Sequence, residues 1–137
     1  MTLLVDTGVF LAYADSSDPD HATCLALLDS VGGELLTTPL VVAETGWLIE
    51  RQLGPHAEAV FYQAVVDCEI VVEGLQPADW RRVRELTEKY ADNGLGGVDS
   101  SLIAVGERLN LDTVATLDQR HFRAVRPRHV GAFNIVP

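Results

Sequence analysis

Short apolar runs bounded by turn residues alternate with longer stretches of helical periodicity along this chain. The runs at 3–6 (LLVD), 34–38 (ELLTT), 69–72 (EIVV), 113–117 (TVATL) and 133–136 (FNIV) have the length of short buried strands. Between them, helical patterns cover 7–14, 19–31, 39–53, 55–66, 77–91 and 99–109. Four of these open with a proline (Pro19, Pro39, Pro55, Pro77), where the missing N–H has no helical partner to lose. From Asp99, the residues Leu102, Ile103 and Gly106 fall at i+3, i+4 and i+7, which places Asp99 at the N-terminal end of an inward face. The glycine-rich break at 93–97 reads as the end of one helix and a turn into the next.

Strands alternating with helices predict an α/β fold, a parallel sheet of about five strands flanked by helices on both faces. With 137 residues and 47% hydrophobic content, the chain is expected to be a single domain, 1–137, with a proper core. In such sheets ligands bind beyond the carboxyl ends of the strands. Four carboxylates follow or interrupt the apolar runs: Asp6 in LLVDTGVFLAYA, Glu44 in PLVVAETGWLIE, Asp99 in GGVDSSLIAVGERL and Asp118 in TVATLDQRHF. Asp6 and Asp118 both close predicted strands and should share one rim.

Taken singly, three of these acids have ordinary explanations. Asp6 and Asp99 are credible helix N-caps, and Asp118 is a credible start of an Asp-Gln-Arg-His turn. Glu44 differs, because no other charge occurs from Leu35 to Ile49. A carboxylate desolvated on an apolar helix needs a cation or a proton donor beside it, unless it points to solvent with Thr45. Gathered carboxylates repel one another, and a divalent cation with oxygen ligands removes that cost. Without ligand-spaced His or Cys, magnesium or manganese is favoured over zinc, and phosphate-ester chemistry follows.

Charge refines this picture. The net charge is -10; residues 1–50 hold eight acids and no Lys or Arg, whereas from Gln119 onward four arginines face no acid. An acidic total disfavours sequence-independent binding to polyanions, so any nucleic-acid contact is expected near the arginines or through metal cations. Arg120 and Arg123 are the candidates for gripping substrate phosphates, against a merely solvated tail. Thr7 and Thr116 are candidates for tethering a carboxylate or a bound water at the substrate site. His121 reads as a structural or RNA-facing turn residue rather than a catalyst, and Trp47 and Phe61 as core or interface. Cys24 and Cys68 lie in no metal or disulfide pattern, which fits a reduced cytoplasmic setting. No apolar run of about 18 residues occurs, so no membrane span is expected.

The opening LLVDTGVFLAYAD, the PLVVAETGWLI helix, the central YADNGLGGVDSSLIAVGERLN and TVATLDQRHF with its basic tail resemble, in order, the PIN-domain ribonucleases. Within them they are similar to the toxins of bacterial VapBC toxin–antitoxin pairs. The resemblance implies a magnesium- or manganese-dependent endoribonuclease, its acidic pocket mapping onto Asp6, Glu44, Asp99 and Asp118. It also implies an RNA substrate, a homodimer, and inhibition by a small cognate antitoxin covering the site. On that reading Asp6, Asp99 and Asp118 hold the metal, and Glu44 orients or deprotonates the attacking water. Gly96–Gly97 departs from the family, whose toxins more often carry bulkier residues there.

Two other readings compete. A receiver-like phosphoacceptor also gathers acids around magnesium, but it needs a lysine near a late strand end, and the sole lysine is Lys89, inside a predicted helix. A non-catalytic PIN-like binding module would be expected to have lost one or more of the acids.

Overall fold

The computed structural model describes all of residues 1–137. Five strands form one wholly parallel sheet: β1 (Thr2–Val5), β2 (Glu34–Thr37), β3 (Val71–Val72), β4 (Thr113–Ala115) and β5 (Asn134–Val136), in the order β3-β2-β1-β4-β5. Leu3, Leu4 and Val5 have no solvent exposure. Successive strand residues face opposite sides, so burial of all three requires both faces of the sheet to be covered. The covering helices are α1 (Thr7–Ala14), α2 (His21–Ser30), α3 (Pro39–Leu53), α4 (Pro55–Val66), α5 (Pro77–Lys89), α6 (Gly97–Leu109) and α7 (Gln119–Ala124). None is long and apolar enough to cross a membrane.

The expected elements are present, with differences that have local causes. The third strand keeps only two of its four expected residues, because the N–H groups of Glu69 and Ile70 both donate to Ala64 O at the end of α4. The second helix begins at His21, not Pro19; Asp18 accepts from the backbone N–H of Asp20 and holds a turn there. Asp118 does not start a simple turn. It precedes a helix, α7, pinned to the core by the buried Phe122.

Helix α6 is the central helix, packing against α5, α3 and β1. Every residue from Ser100 to Gly106 is buried, so the expected single inward face is a complete band. A Cβ on Gly106 would lie 2.8 Å from Leu4 Cδ1, and the glycine lets this helix approach β1 closely. An ion-paired strut holds α6 to the start of α5: Arg108 Nε lies 3.0 Å from the Asp79 carboxylate and its Nη1 3.0 Å from Glu73. Asp79 also accepts from Gln76 N and so caps α5. On α3, Val41, Thr45 and Ile49 form the inward stripe, leaving Trp47 off it and 56% exposed, with the Arg51 guanidinium 4.7 Å from its ring. Of the two residues expected in core or interface, Phe61 is in the core and Trp47 stands on the surface.

Candidate active site

The strand order places the site. From β1 the chain passes to β2 on one side, while β4 adds on the other, so the crevice at the carboxyl ends of β1 and β4 is the switch point of the sheet. Asp6 directly follows β1, and Asp118 lies three residues beyond β4. Asp99 is in the first turn of α6 and Glu44 on α3. All four line one cleft of about 1010 Å³, together with Thr7, Arg120, His121 and Arg123.

Asp6 is the most constrained of them. It caps α1: Oδ1 accepts from Thr7 N at 2.8 Å, and Oδ2 accepts from Thr116 Oγ1 at 2.8 Å. Thr116 Oγ1 in turn accepts from Asp118 N at 3.0 Å, so one hydroxyl ties two acids together. Asp6 is only 5% exposed, and its pKa is pushed up to about 6, first by burial and next by the charge of Asp99. The hydrogen bonds from Thr116 and Thr7 oppose that rise. Asp99 is also held above the usual carboxylate range, chiefly by burial, with Asp118 and Glu44 adding repulsion and His121 countering it. Asp6 and Asp99 are thus each raised by burial and by neighbouring acids of the same cleft.

His121, expected as a structural or RNA-facing residue of a turn, sits instead on a helix and ties two acids of the cleft together. Its Nδ1 stands 2.7 Å from Asp99 Oδ2 and 3.1 Å from Asp118 Oδ2, bridging two acids from α7. The missing signal was α7 itself: read as a turn, QRHF gives no reason for the histidine to face inward, whereas helical spacing does once Phe122 is seen to anchor the core. Glu44 also differs from expectation. It is exposed at the mouth of the cleft, off the 41/45/49 stripe, and it is Thr45 that is fully buried, its hydroxyl without a partner. Thr116 is wholly buried and holds Asp6, so it is not a substrate contact. Thr7 lines the cleft with its Oγ1 sealed away, leaving its backbone N–H, given to Asp6, as its contribution.

Arg120 and Arg123 stand on the cleft as expected; Arg123 Nη2 donates to Gln119 Oε1 at 2.8 Å. Gly96 and Gly97 also line the cleft, and a Cβ on either would meet nothing within 4 Å, so the cleft is open there. Lys89 is exposed on α5, 5.5 Å from the Tyr90 ring, and takes no part in the cleft, contrary to what a receiver-like site needs.

The donor set fits a hard divalent cation. Asp6 and Asp99 are buried to different degrees, repel each other and have no lysine or arginine ion pair, and their oxygens are the ligand type that magnesium and manganese prefer. No three carboxylate, histidine or cysteine side chains are preassembled as a closed ligand group, and His121 occupies one oxygen each of Asp99 and Asp118.

The parallel sheet carries an acidic crevice at its switch point, and the PIN-domain family model matches residues 3–126, so the chain belongs to that family. Among curated proteins, Ribonuclease VapC26 of Mycobacterium tuberculosis is 31% identical over 135 residues, which cover 98% of this chain and all of that protein. The fold is shared with the crystal structure of Mycobacterium tuberculosis VapC20, a sarcin–ricin-loop-cleaving toxin, at a TM-score of 0.85 and 21% identity, covering 98% of this chain and 99% of that one. It is shared also with FitAcB from Neisseria gonorrhoeae (TM-score 0.69, 17% identity, 98% and 96% covered). A third neighbour is VapBC2 from Rickettsia felis bound to a promoter DNA fragment (TM-score 0.67, 14% identity, 98% and 97% covered).

Proposed function

We propose that this single PIN-like domain is a magnesium- or manganese-dependent endoribonuclease, acting in the cytoplasm as the toxin of a toxin–antitoxin pair. The observation that carries the reading is the gathering of Asp6, Glu44, Asp99 and Asp118 on one cleft, where the buried Asp6 and half-buried Asp99 have no lysine or arginine partner. The likeness to Ribonuclease VapC26 supports ribonuclease chemistry in particular. The presence of all four acids on the cleft favours catalysis over a non-catalytic binding module.

Asp6, Asp99 and Asp118 would hold the cation. When bound, such an ion activates water and stabilises the charge that develops on phosphorus. Thr116 fixes the Asp6 carboxylate, and Thr7 N holds its second oxygen, so that Asp6 presents a set orientation. Glu44, exposed at the mouth, takes the proton of the attacking water. Water attacks phosphorus in line, the P–O3′ bond breaks, and the departing 3′ oxygen takes a proton from solvent, giving a 5′-phosphate and a 3′-hydroxyl. Arg120 and Arg123 grip flanking phosphates.

A small cognate antitoxin and a homodimer complete the proposal, following the resemblance to the toxins of VapBC pairs, and VapBC2 from Rickettsia felis is among the fold neighbours. The test is cleavage of RNA by purified protein with magnesium or manganese, its loss in EDTA, and its loss in Asp6→Asn and Asp99→Asn. Full activity in EDTA, or in Asp99→Asn, would overturn the mechanism. Co-purification from the native host should yield a small protein that blocks cleavage, and its absence at native abundance would remove the toxin assignment.

A further inference from the structure

We infer that His121 is a specificity-determining residue that reads the ribose 2′-hydroxyl of the substrate strand. The inference rests on the ribonuclease reading above and assigns to it one atom, His121 Nε2. The imidazole is held by its other nitrogen. Nδ1 faces Asp99 Oδ2 at 2.7 Å and Asp118 Oδ2 at 3.1 Å, so the two carboxylates hold the ring by that nitrogen.

The far nitrogen is left for a ligand. Nε2 makes no hydrogen bond within the chain and is not sealed from solvent, although His121 lines the cleft between the acids and Arg120 and Arg123. Gly94 keeps that nitrogen uncovered. A Cβ built on Gly94 would stand 3.6 Å from Nε2 and would have no other neighbour within 4 Å, and the φ of +73° at this position disfavours any side chain.

On the ribonuclease reading the scissile phosphate would lie against the acids that hold Nδ1, and Nε2, on the same cleft and clear of the chain's own contacts, would then face the adjoining sugar. The chemical difference between RNA and DNA at that position is one hydroxyl, which both donates and accepts. It can therefore bond Nε2 whether or not that nitrogen carries a proton. A phosphate oxygen only accepts, and Arg120 and Arg123 already supply donors for phosphates.

The experiment uses a short RNA strand built on a cut site mapped in total RNA, with each nucleotide flanking the cleaved bond converted in turn to its 2′-deoxy form. For the wild-type protein, one such conversion should lower kcat/KM about five- to tenfold, the scale of one net hydrogen bond. The RNA/deoxy ratio is then measured in His121→Asn and His121→Gln. Asparagine places an amide nitrogen where Nδ1 was, keeping the tie to Asp99 while removing Nε2, and the ratio should fall to within about twofold of one. Glutamine reaches the position of Nε2 and should retain most of the ratio. Because each ratio is taken within one protein, a poorly folded fraction cancels.

A ratio unchanged in His121→Asn overturns the inference, with the loss then reflecting a phosphate contact or the support of Asp99 alone. A wild-type protein indifferent to every 2′-deoxy conversion overturns it as well, while leaving the ribonuclease reading intact. Failure of the wild-type protein to cut any RNA removes the functional reading and the inference with it.

Discussion

Thr116 Oγ1 donates to Asp6 Oδ2 across the junction of β4 and β1 and accepts from the backbone N–H of Asp118, so a single buried hydroxyl orients two acids of the cleft. Replacing it removes a support without removing a ligand. Thr116→Val is nearly isosteric and should lower metal affinity and kcat/KM about 10- to 100-fold, the usual consequence of losing a group that orients a ligand. Thr116→Ser keeps the hydroxyl and should recover most of both. Isothermal titration with manganese reads the affinity directly, and equal affinities for Val and Thr at this position would refute the orienting role.

Stability of the metal-free protein should depend on pH with a sign set by Asp6. Its pKa rises from the ordinary value of 3.8 to about 6 on folding, because burial and Asp99 penalise the charged form. A raised folded value favours the protonated carboxyl, so its contribution is fully present below pH 3.8 and is lost as pH climbs through about 6. That span corresponds to ~3 kcal/mol at neutral pH. Asp99, shifted in the same direction, adds to the effect. In EDTA, Asp6→Asn should therefore melt higher than wild type at pH 7 and show little advantage near pH 4. Added magnesium should raise the wild-type melting temperature at pH 7 and leave Asp6→Asn nearly unmoved. A variant less stable than wild type throughout this range in EDTA would contradict the assignment.

The alternation of strand and helix, and the rim shared by Asp6 and Asp118, were legible in the sequence because parallel sheets leave continuous apolar runs and place their ligands at the strand ends. Less legible was what depends on a few backbone bonds. Glu69 and Ile70 have the composition of a strand, yet their N–H groups close the end of α4. QRHF lacks the length that periodicity needs, so α7 and the inward turn of His121 were invisible to it. Glu44 was misjudged for a different reason. A run without other charges suggested burial, but helical geometry spreads such a run over several faces, and only the 41/45/49 stripe meets the core.

Because Glu44 is exposed, its substitution separates chemistry from folding. Glu44→Gln should leave the melting temperature within about 2 °C of wild type, since surface changes rarely exceed ~0.5 kcal/mol. Loss of a general base should nevertheless cost about 100-fold or more in kcat. Circular dichroism melts and single-turnover cleavage on the same preparation check both halves. A variant with wild-type kcat would move the proton-accepting role elsewhere, with Asp118 the next residue to examine.

Arg108 offers the opposite contrast, a residue outside the cleft that ties α6 to the start of α5. The Asp79 carboxylate is 4% exposed and meets the Arg108 guanidinium at 3.0 Å, while Glu73 and the Gly74 carbonyl share the same side chain. Arg108→Met keeps the aliphatic stem but leaves Asp79 as a buried carboxylate with only the cap bond from Gln76 N. Removing one member of a buried pair costs about 3 kcal/mol, which for a chain of this size lowers the melting temperature by roughly 10 °C. The double substitution Arg108→Met with Asp79→Leu removes the stranded charge and should regain part of that loss. At a temperature where Arg108→Met is folded, its cleavage rate should stay within about threefold of wild type, because the strut touches neither the acids nor the arginines of the cleft. A double variant destabilised by the full sum of the two single changes would show that Arg108 and Asp79 act separately.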